Sequence, residues 1–325
     1  MKGILIDDDK NLHWQETEKP EAGPGQVRIA VRATAINRAD LMQRRGFYPP
    51  PRGASAIMGL ECAGVIENVG EGVNRWREGD RVCALLPGGG YAEYAVAHEG
   101  SVLPVPSGLS FDEAASLPEV YATAWLNLFM EAGLSEGENV ILHAGGSGVG
   151  TAGIQLCKSF GNPCYVTVGS EEKLERCLAL GAESGSNRRE QPFLDKAREF
   201  AGGQGIGVIL DPVGGSYLKD NISLLSLEGR LVLIGLMGGG VTEIDLSTLL
   251  AKRLRVIGST LRTRTDQAKS LVMAQMEEMV WPKLDSAEIV PVIDTSMPIT
   301  EAGAAHDLIA SDTTFGKVVM TVSDS

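Results

Sequence analysis

The run His143-Ala144-Gly145-Gly146-Ser147-Gly148-Val149-Gly150 constrains this chain more than any other feature. It follows the apolar stretch Asn139 to His143 and precedes Thr151 to Phe160, where Ile154, Cys157 and Lys158 fall on adjacent faces of a helix. Strand, glycine turn and helix in that order bring backbone N–H groups and a positive helix end to one point. A pyrophosphate can approach there because no Cβ blocks it. Gly145, Gly148 and Gly150 are the critical positions. The literal spacing Gly148-x-Gly150-x-x-Gly153 is weak by itself and takes its weight from the strand before it and the second unit after it.

That second unit repeats the scheme. Cys164 to Val168 reads as a strand, and Glu171 to Leu180 as a helix with Leu174, Cys177 and Leu178 on one face and Gly181 at its end. Further strands are expected at Val208 to Leu210, Leu231 to Ile234 and Leu254 to Ile257, with a helix around Tyr217 to Leu225. A parallel sheet of at least five strands follows. Before about residue 121 the pattern differs. Val27, Ile29 and Val31 alternate with Arg28, Ala30 and Arg32 at a strand's two-residue period, and short runs at Val65-Ile66 and Arg81 to Leu85 are divided by Gly70, Gly72 and Gly79-Asp80. A small antiparallel barrel fits this half. After Ser259 come a long helical stretch, Asp266 to Val280, and two short strands, Val290 to Ile293 and Lys317 to Met320, suited to rejoining the first half. The predicted boundaries are 1–120 with 263–325 for one domain and 121–262 for the other.

A chain of 325 residues exceeds one ordinary core, which agrees with two domains. The net charge of -13 repels nucleic-acid phosphates and anionic lipid, so neither is an expected partner. No apolar run approaches membrane-spanning length, and Asp7-Asp8-Asp9 comes too early for a secretory signal. Five cysteines, Cys62, Cys83, Cys157, Cys164 and Cys177, form no C-x-x-C pair, and a reducing cytoplasm is the expected location.

About twenty residues past the glycine turn, a carboxylate would bond a ribose 2′-hydroxyl and exclude a 2′-phosphate. This chain has Gly169-Ser170 there. Ser170, Lys173 and Arg188 are the candidate 2′-phosphate groups, which favours NADPH. Against this, Glu171 and Glu172 could repel the phosphate while the two cations merely solvate the surface.

The segments Asn37-Arg38-Ala39-Asp40, Gly59-Leu60-Glu61-Cys62-Ala63-Gly64, Gly79-Asp80-Arg81-Val82, Leu86 to Tyr94, His143 to Thr151 and Gly235-Leu236-Met237-Gly238-Gly239-Gly240 together resemble the medium-chain dehydrogenase/reductases. The likeness is to their zinc-free quinone oxidoreductase, or zeta-crystallin-like, branch. Tyr48-Pro49-Pro50-Pro51 and Ala54-Ser55 are similar to its tumour-suppressor-inducible type. The resemblance implies an α/β chain with a GroES-like β-barrel catalytic domain, a Rossmann doubly wound parallel sheet, and a homodimer or tetramer. It implies Asn37 and Thr123 near the nicotinamide and Gly145, Gly146, Ser147, Gly148 and Val149 at the pyrophosphate. Gly169, Ser170 and Lys173 would meet the adenosine 2′-phosphate, and Gly235, Leu236, Met237, Ser259, Leu261 and Lys317 would flank the nicotinamide end. Asn187-Arg188 departs from the Asn-Tyr common in the family.

Zinc-dependent relatives of this family resemble the chain but carry a cysteine at the position of Asn37 and a histidine at that of Leu60. Leucine has no lone pair to offer, so no metal is expected. Without a Lewis acid the acceptor must itself be electrophilic, as a quinone is and an enone is to a lesser degree. Tyr48, Asn37 and Asp40 are the candidate pocket groups for hydrogen bonding or proton delivery. Each has a plainer role beside it: Tyr48 packing its proline loop, Asn37 bonding backbone at a strand end, Asp40 capping the following helix. The expected activity is NADPH:quinone reduction, with double-bond reduction and a non-catalytic NADPH-binding protein as the alternatives.

Overall fold

The alternating segment near Val27 forms the strand Gln26–Ala35, in which Val27, Ile29 and Val31 are buried. Each buried aliphatic side chain of this kind contributes roughly 1.5–3 kcal/mol. Arg28 lies on the other face and is held by Glu67 at 2.5 Å and Glu21 at 2.8 Å. The strand pairs antiparallel with Glu61–Val69, Tyr94–His98 and Lys317–Thr321, and Arg81–Leu85, Val102–Pro104 and Ile293–Pro298 extend the sheet to seven strands. The C-terminal segment therefore completes a sheet begun by the N-terminal one. In this computed structural model, which describes residues 1–322, the first compact unit is Met1–Ala122 together with the chain from Leu261 onward.

Thr123–Thr260 forms the second unit. Its six strands, in chain order Val140–His143, Cys164–Val168, Ser184–Asn187, Ile206–Asp211, Leu225–Leu233 and Arg255–Gly258, are all parallel. Their spatial order is third, second, first, fourth, fifth, sixth. This is the doubly wound order, and the strand sequence reverses direction between Val140–His143 and Ile206–Asp211. Ligands of such sheets bind outside the carboxyl ends of the strands at that reversal.

Several expected elements differ in place, among them the strand expected at Leu231 to Ile234, which begins at Leu225. The glycine-turn helix is Gly148–Ser159, three residues earlier than Thr151, because Ser147 supplies an N-cap. The strand expected at Val290 to Ile293 runs instead over Ile293–Pro298. Pro291 has no N–H for a ladder, and only the carbonyl of Val292 pairs, accepting from Lys317. The last sheet strand starts at Arg255 rather than Leu254. The strand Ser184–Asn187 was not expected: its residues, Ser-Gly-Ser-Asn, carry no apolar period although three of them are buried.

Candidate active site

The glycine turn is shaped by close backbone packing. Ala144 adopts a left-handed conformation with φ 56°, which reverses the chain after the strand. A Cβ on Gly150 would lie 2.4 Å from the carbonyl oxygen of Ala144 and 2.5 Å from that of Gly145. A Cβ on Gly145 would lie 2.8 Å from the Cβ of Val166. Ser147 caps the helix with its Oγ, which accepts from the N–H of Gly150 at 3.1 Å. The N–H groups of Gly148 and Val149, in the first turn, have no acceptor within the helix. The cradle thus presents donors and a positive helix end and holds no side chain where an anion would sit.

On the neighbouring strand, Gly169 and Ser170 follow Val168, and Ser170 caps the helix Glu171–Leu180 by accepting from the N–H of Lys173 at 3.3 Å. Arg188 donates its backbone N–H to Val168. Its guanidinium lies over Gly169, with Nη1 3.2 Å from where a Cβ there would be. Lys173 is buried at the same helix start, whereas Glu171 and Glu172 are exposed. The structure therefore gathers Gly169, Ser170, Lys173 and Arg188 at one strand end.

The loop after Leu225–Leu233 is zipped to the one after Ile206–Asp211. Met237 N–H donates to Pro212, Gly238 N–H to Val213, and Gly215 N–H to Gly239. Leu236 and Met237 are left exposed at the tip, and a Cβ on Gly235 would meet the Pro212 carbonyl at 2.8 Å. Ser259 N–H donates to Leu233, and the buried Oγ of Ser259 has no hydrogen-bond partner. Thr123 accepts from the Asn127 side chain at 2.7 Å.

His143, at the end of the strand before the glycine turn, is bonded on both ring nitrogens. Its Nδ1 lies 3.0 Å from Thr167 Oγ1 and its Nε2 2.8 Å from Asn221 Oδ1. Asn221 donates through Nδ2 to Asp211, whose other oxygen accepts from Val213 and Gly214 N–H. Because the Asn221 amide donates to Asp211, its oxygen accepts from His143, so Nε2 carries the proton and Nδ1 accepts from Thr167. Burial lowers the pKa of His143, which keeps it neutral. This chain of bonds spans the carboxyl ends of the first, second and fourth strands and fixes the glycine turn relative to the 212–216 loop.

In the first unit, Asn37 and Lys317 meet directly. Lys317 Nζ donates to Asn37 Oδ1 and Glu61 Oε1, each at 2.7 Å, and to the Ile36 carbonyl at 2.8 Å. Asn37 Nδ2 also donates to Glu61, at 2.8 Å. Asp40 is fully buried and accepts from the N–H groups of Asn37 and Gly59. It holds the start of the helix Arg38–Arg44 against the Gly59 turn, and burial lifts its pKa to about 6. Tyr48 is half-buried and lies apart from this network. Its carbonyl accepts from Arg262, whose guanidinium is 5.3 Å from the Tyr48 ring and also reaches Gln43 and Pro87. Burial, with the charge of Glu119, raises the pKa of Tyr48. Leu261 is buried beside Arg262 in the chain.

Glu61, Glu119 and Arg262 were not singled out from the sequence. The signal for Glu61 was present, an acidic residue inside the apolar run Leu60 to Ala63; Glu119 and Arg262 gave none. Glu119 N–H donates to Glu61 Oε2 at 2.8 Å, and burial followed by the Glu61 charge pushes the Glu119 pKa up to about 8. Cys62 is wholly buried and its thiol is pushed well up by burial, which removes it as a nucleophile at neutral pH. Among the described residues no three His, Cys, Asp or Glu side chains are grouped to hold a metal ion. The Lys317 ammonium already lies against the oxygens of Asn37 and Glu61, so this donor set does not suit a zinc ion.

A two-domain chain, with a seven-stranded sheet carrying a buried Lys–Glu–Asn network and a doubly wound sheet carrying a glycine cradle, is the architecture of nicotinamide-dependent oxidoreductases. Residues 23–107 match the family model for the alcohol dehydrogenase GroES-like domain, and residues 148–278 match that for zinc-binding dehydrogenase. The chain is 33% identical over 297 residues to a quinone oxidoreductase of Rattus norvegicus, covering 91% of this chain and 88% of the relative. The quinone oxidoreductase of Thermus thermophilus, solved also in complex with NADPH, superposes with a TM-score of 0.84 at 31% identity, covering 99% of this chain and all of that one. The CurK enoyl reductase superposes with a TM-score of 0.86 at 27% identity, covering 99% of both chains. The chain belongs to the medium-chain dehydrogenase/reductase superfamily, among its quinone oxidoreductases.

Proposed function

We propose that this oxidoreductase is a zinc-independent NADPH:quinone reductase. The observation that carries the reading is the acid-free strand end at Gly169-Ser170, with Arg188 laid over it beside an intact glycine cradle. The cradle fits a dinucleotide, since the N–H groups of Gly148 and Val149 have no acceptor within the helix Gly148–Ser159, and the unpartnered Oγ of Ser259 offers a donor at the expected nicotinamide side. When bound, the nicotinamide supplies a hydride equivalent. Gly145, Gly146, Ser147, Gly148 and Val149 would hold the pyrophosphate, and Ser170, Lys173 and Arg188 the 2′-phosphate. Gly235, Leu236, Met237, Ser259 and Thr123 are the proposed nicotinamide-side residues of the second unit, and Asn37, Leu261 and Lys317 are proposed cofactor residues of the first.

The first unit, as the catalytic domain, would receive the acceptor. Asn37 and Leu60 are not zinc ligands of the expected kind, and Lys317 fills the position of a cation, so the acceptor would have to take up charge without metal coordination. A quinone does so by becoming aromatic. Asn37 is fixed by Lys317 and Glu61, Asp40 fixes the helix behind it, and Tyr48 would border the acceptor. The likeness to an enoyl reductase supports double-bond reduction as the second reading. Steady-state oxidation of NADPH with an ortho-quinone and with an enone separates them. Higher kcat/KM for the quinone is expected, and a marked preference for the enone would reverse the order. No turnover of either would leave a non-catalytic NADPH-binding protein.

A homodimer is the proposed assembly. The strand Arg255–Gly258 is an open sheet edge with Val256 exposed, and the helix Leu246–Ala251 buries none of its residues, leaving Leu246 and Leu250 in solvent. Five buried, unbridged cysteines fit a reducing cytoplasm. No helix of the described residues is long and apolar enough to cross a membrane.

A further inference from the structure

We propose that Glu119 is the proton source of the reaction, passing its carboxyl proton to the acceptor oxygen, an inference that rests on the reductase reading above. Three acidic groups of the first unit differ in what they are bound to. Glu61 receives Lys317 and Asn37 on one oxygen and the N–H of Glu119 on the other. Asp40 receives the N–H groups of Asn37 and Gly59. Both are occupied as acceptors. The carboxyl of Glu119 differs. Among the described residues no donor reaches either of its oxygens, although the residue is partly buried.

A carboxylate in that position lacks both full hydration and hydrogen bonds, so the neutral acid is the stable form. The groups facing it agree. Glu61 and Asp40 repel a further negative charge. Lys317 is held by Glu61, Asn37 and Ile36, and Arg262 by Pro87, Tyr48 and Gln43. Lys269, buried on the helix Asp266–Met279, faces Glu119 without forming an ion pair with it. Tyr48 is the nearby phenol, and its proton is the harder to release, since burial and Glu119 both raise its pKa. A pKa of about 8 for Glu119 places the acid close to working pH, where a general acid is both protonated and able to give the proton up.

The step balances simply. A quinone becomes a hydroquinone by gaining one hydride and one proton. The O–H bond of Glu119 breaks, its proton bonds to the acceptor oxygen, and the carboxylate left behind is reprotonated from solvent water. Asn37 and Lys317 stay bonded to Glu61 throughout and act as positioning residues.

Glu119→Gln keeps the shape and removes the acid. Expected are an alkaline decline of wild-type kcat near pH 8 that Glu119→Gln lacks, a fall in ortho-quinone turnover of about tenfold or more, and a KM for NADPH within about twofold of wild type. Infrared titration of the free protein provides a readout without turnover. Wild type should lose a protonated-carboxyl carbonyl band near pH 8, and Glu119→Gln should lack that band. A variant with wild-type turnover and an unchanged alkaline decline, or a wild type without the band, overturns the role of Glu119. A wild type that reduces no quinone overturns the reductase reading instead.

Discussion

Lys317 Nζ and Glu61 Oε1 lie 2.7 Å apart with their side chains 4% and 0% exposed, closing a loop of 256 residues between the two ends of the first unit. Removing one partner leaves a buried charge with no counter-ion, whereas removing both does not. Lys317→Met is therefore expected to cost about 3–5 kcal/mol. The double variant Lys317→Met/Glu61→Gln should cost less than the sum of the two single changes. Denaturant unfolding of the three variants measures the coupling, and strict additivity would show that the pair contributes nothing as a pair.

What the sequence made legible follows from physical periodicity. The cradle, the parallel strands and the strand Gln26–Ala35 were readable because burial imposes a period on apolar residues. Ser184–Asn187 was not, since its place in the sheet comes from pairing with Cys164–Val168 and from small size: a Cβ on Gly185 would lie 2.7 Å from Leu174. The same division holds in the site. Residues marked by motif, such as Asn37 and Ser170, could be named. Glu119 and Arg262 could not, because their chemistry arises from neighbours 58 and more residues away in the chain.

The cradle carries a direct steric test. At Gly150 a methyl group would sit 2.4 Å from a backbone oxygen, and backbone cannot move aside as a flexible side chain would. Gly150→Ala should displace the Ala144–Gly145 turn and weaken NADPH binding by about tenfold or more, on the order of 1.4 kcal/mol. Titration by nicotinamide fluorescence measures it. Wild-type affinity in a folded variant would mean that the turn does not hold the pyrophosphate.

Cofactor choice turns on one position. Ser170→Asp places a carboxylate beside Arg188 and Lys173, where it would repel a 2′-phosphate and accept from a 2′-hydroxyl while keeping the helix cap. The ratio of kcat/KM for NADPH over NADH should fall by about tenfold or more, roughly 1.4 kcal/mol. An unchanged ratio would place the discriminating contacts elsewhere.

His306 sets an acid limit on stability. It is 1% exposed, its Nε2 lies 3.2 Å from the Tyr91 hydroxyl, and its Nδ1 has no partner. One hydrogen bond joins Nε2 to the Tyr91 hydroxyl, and burial keeps the ring neutral. Burial, and then the charge of Arg44, depresses the pKa of His306 to about 3. The unfolded chain, with an ordinary histidine near 6.5, binds the proton that the folded chain refuses. Stability from this group is complete above pH 6.5 and is lost as the pH falls toward 3, at up to about 1.4 kcal/mol per pH unit. His306→Gln cannot titrate and can still hydrogen-bond to Tyr91. Its Tm should lie below that of wild type at pH 7.5 and approach or pass it by about pH 4.5. A Tm difference that stays constant across that range would mean that His306 takes up its proton as readily in the folded protein as in the unfolded chain.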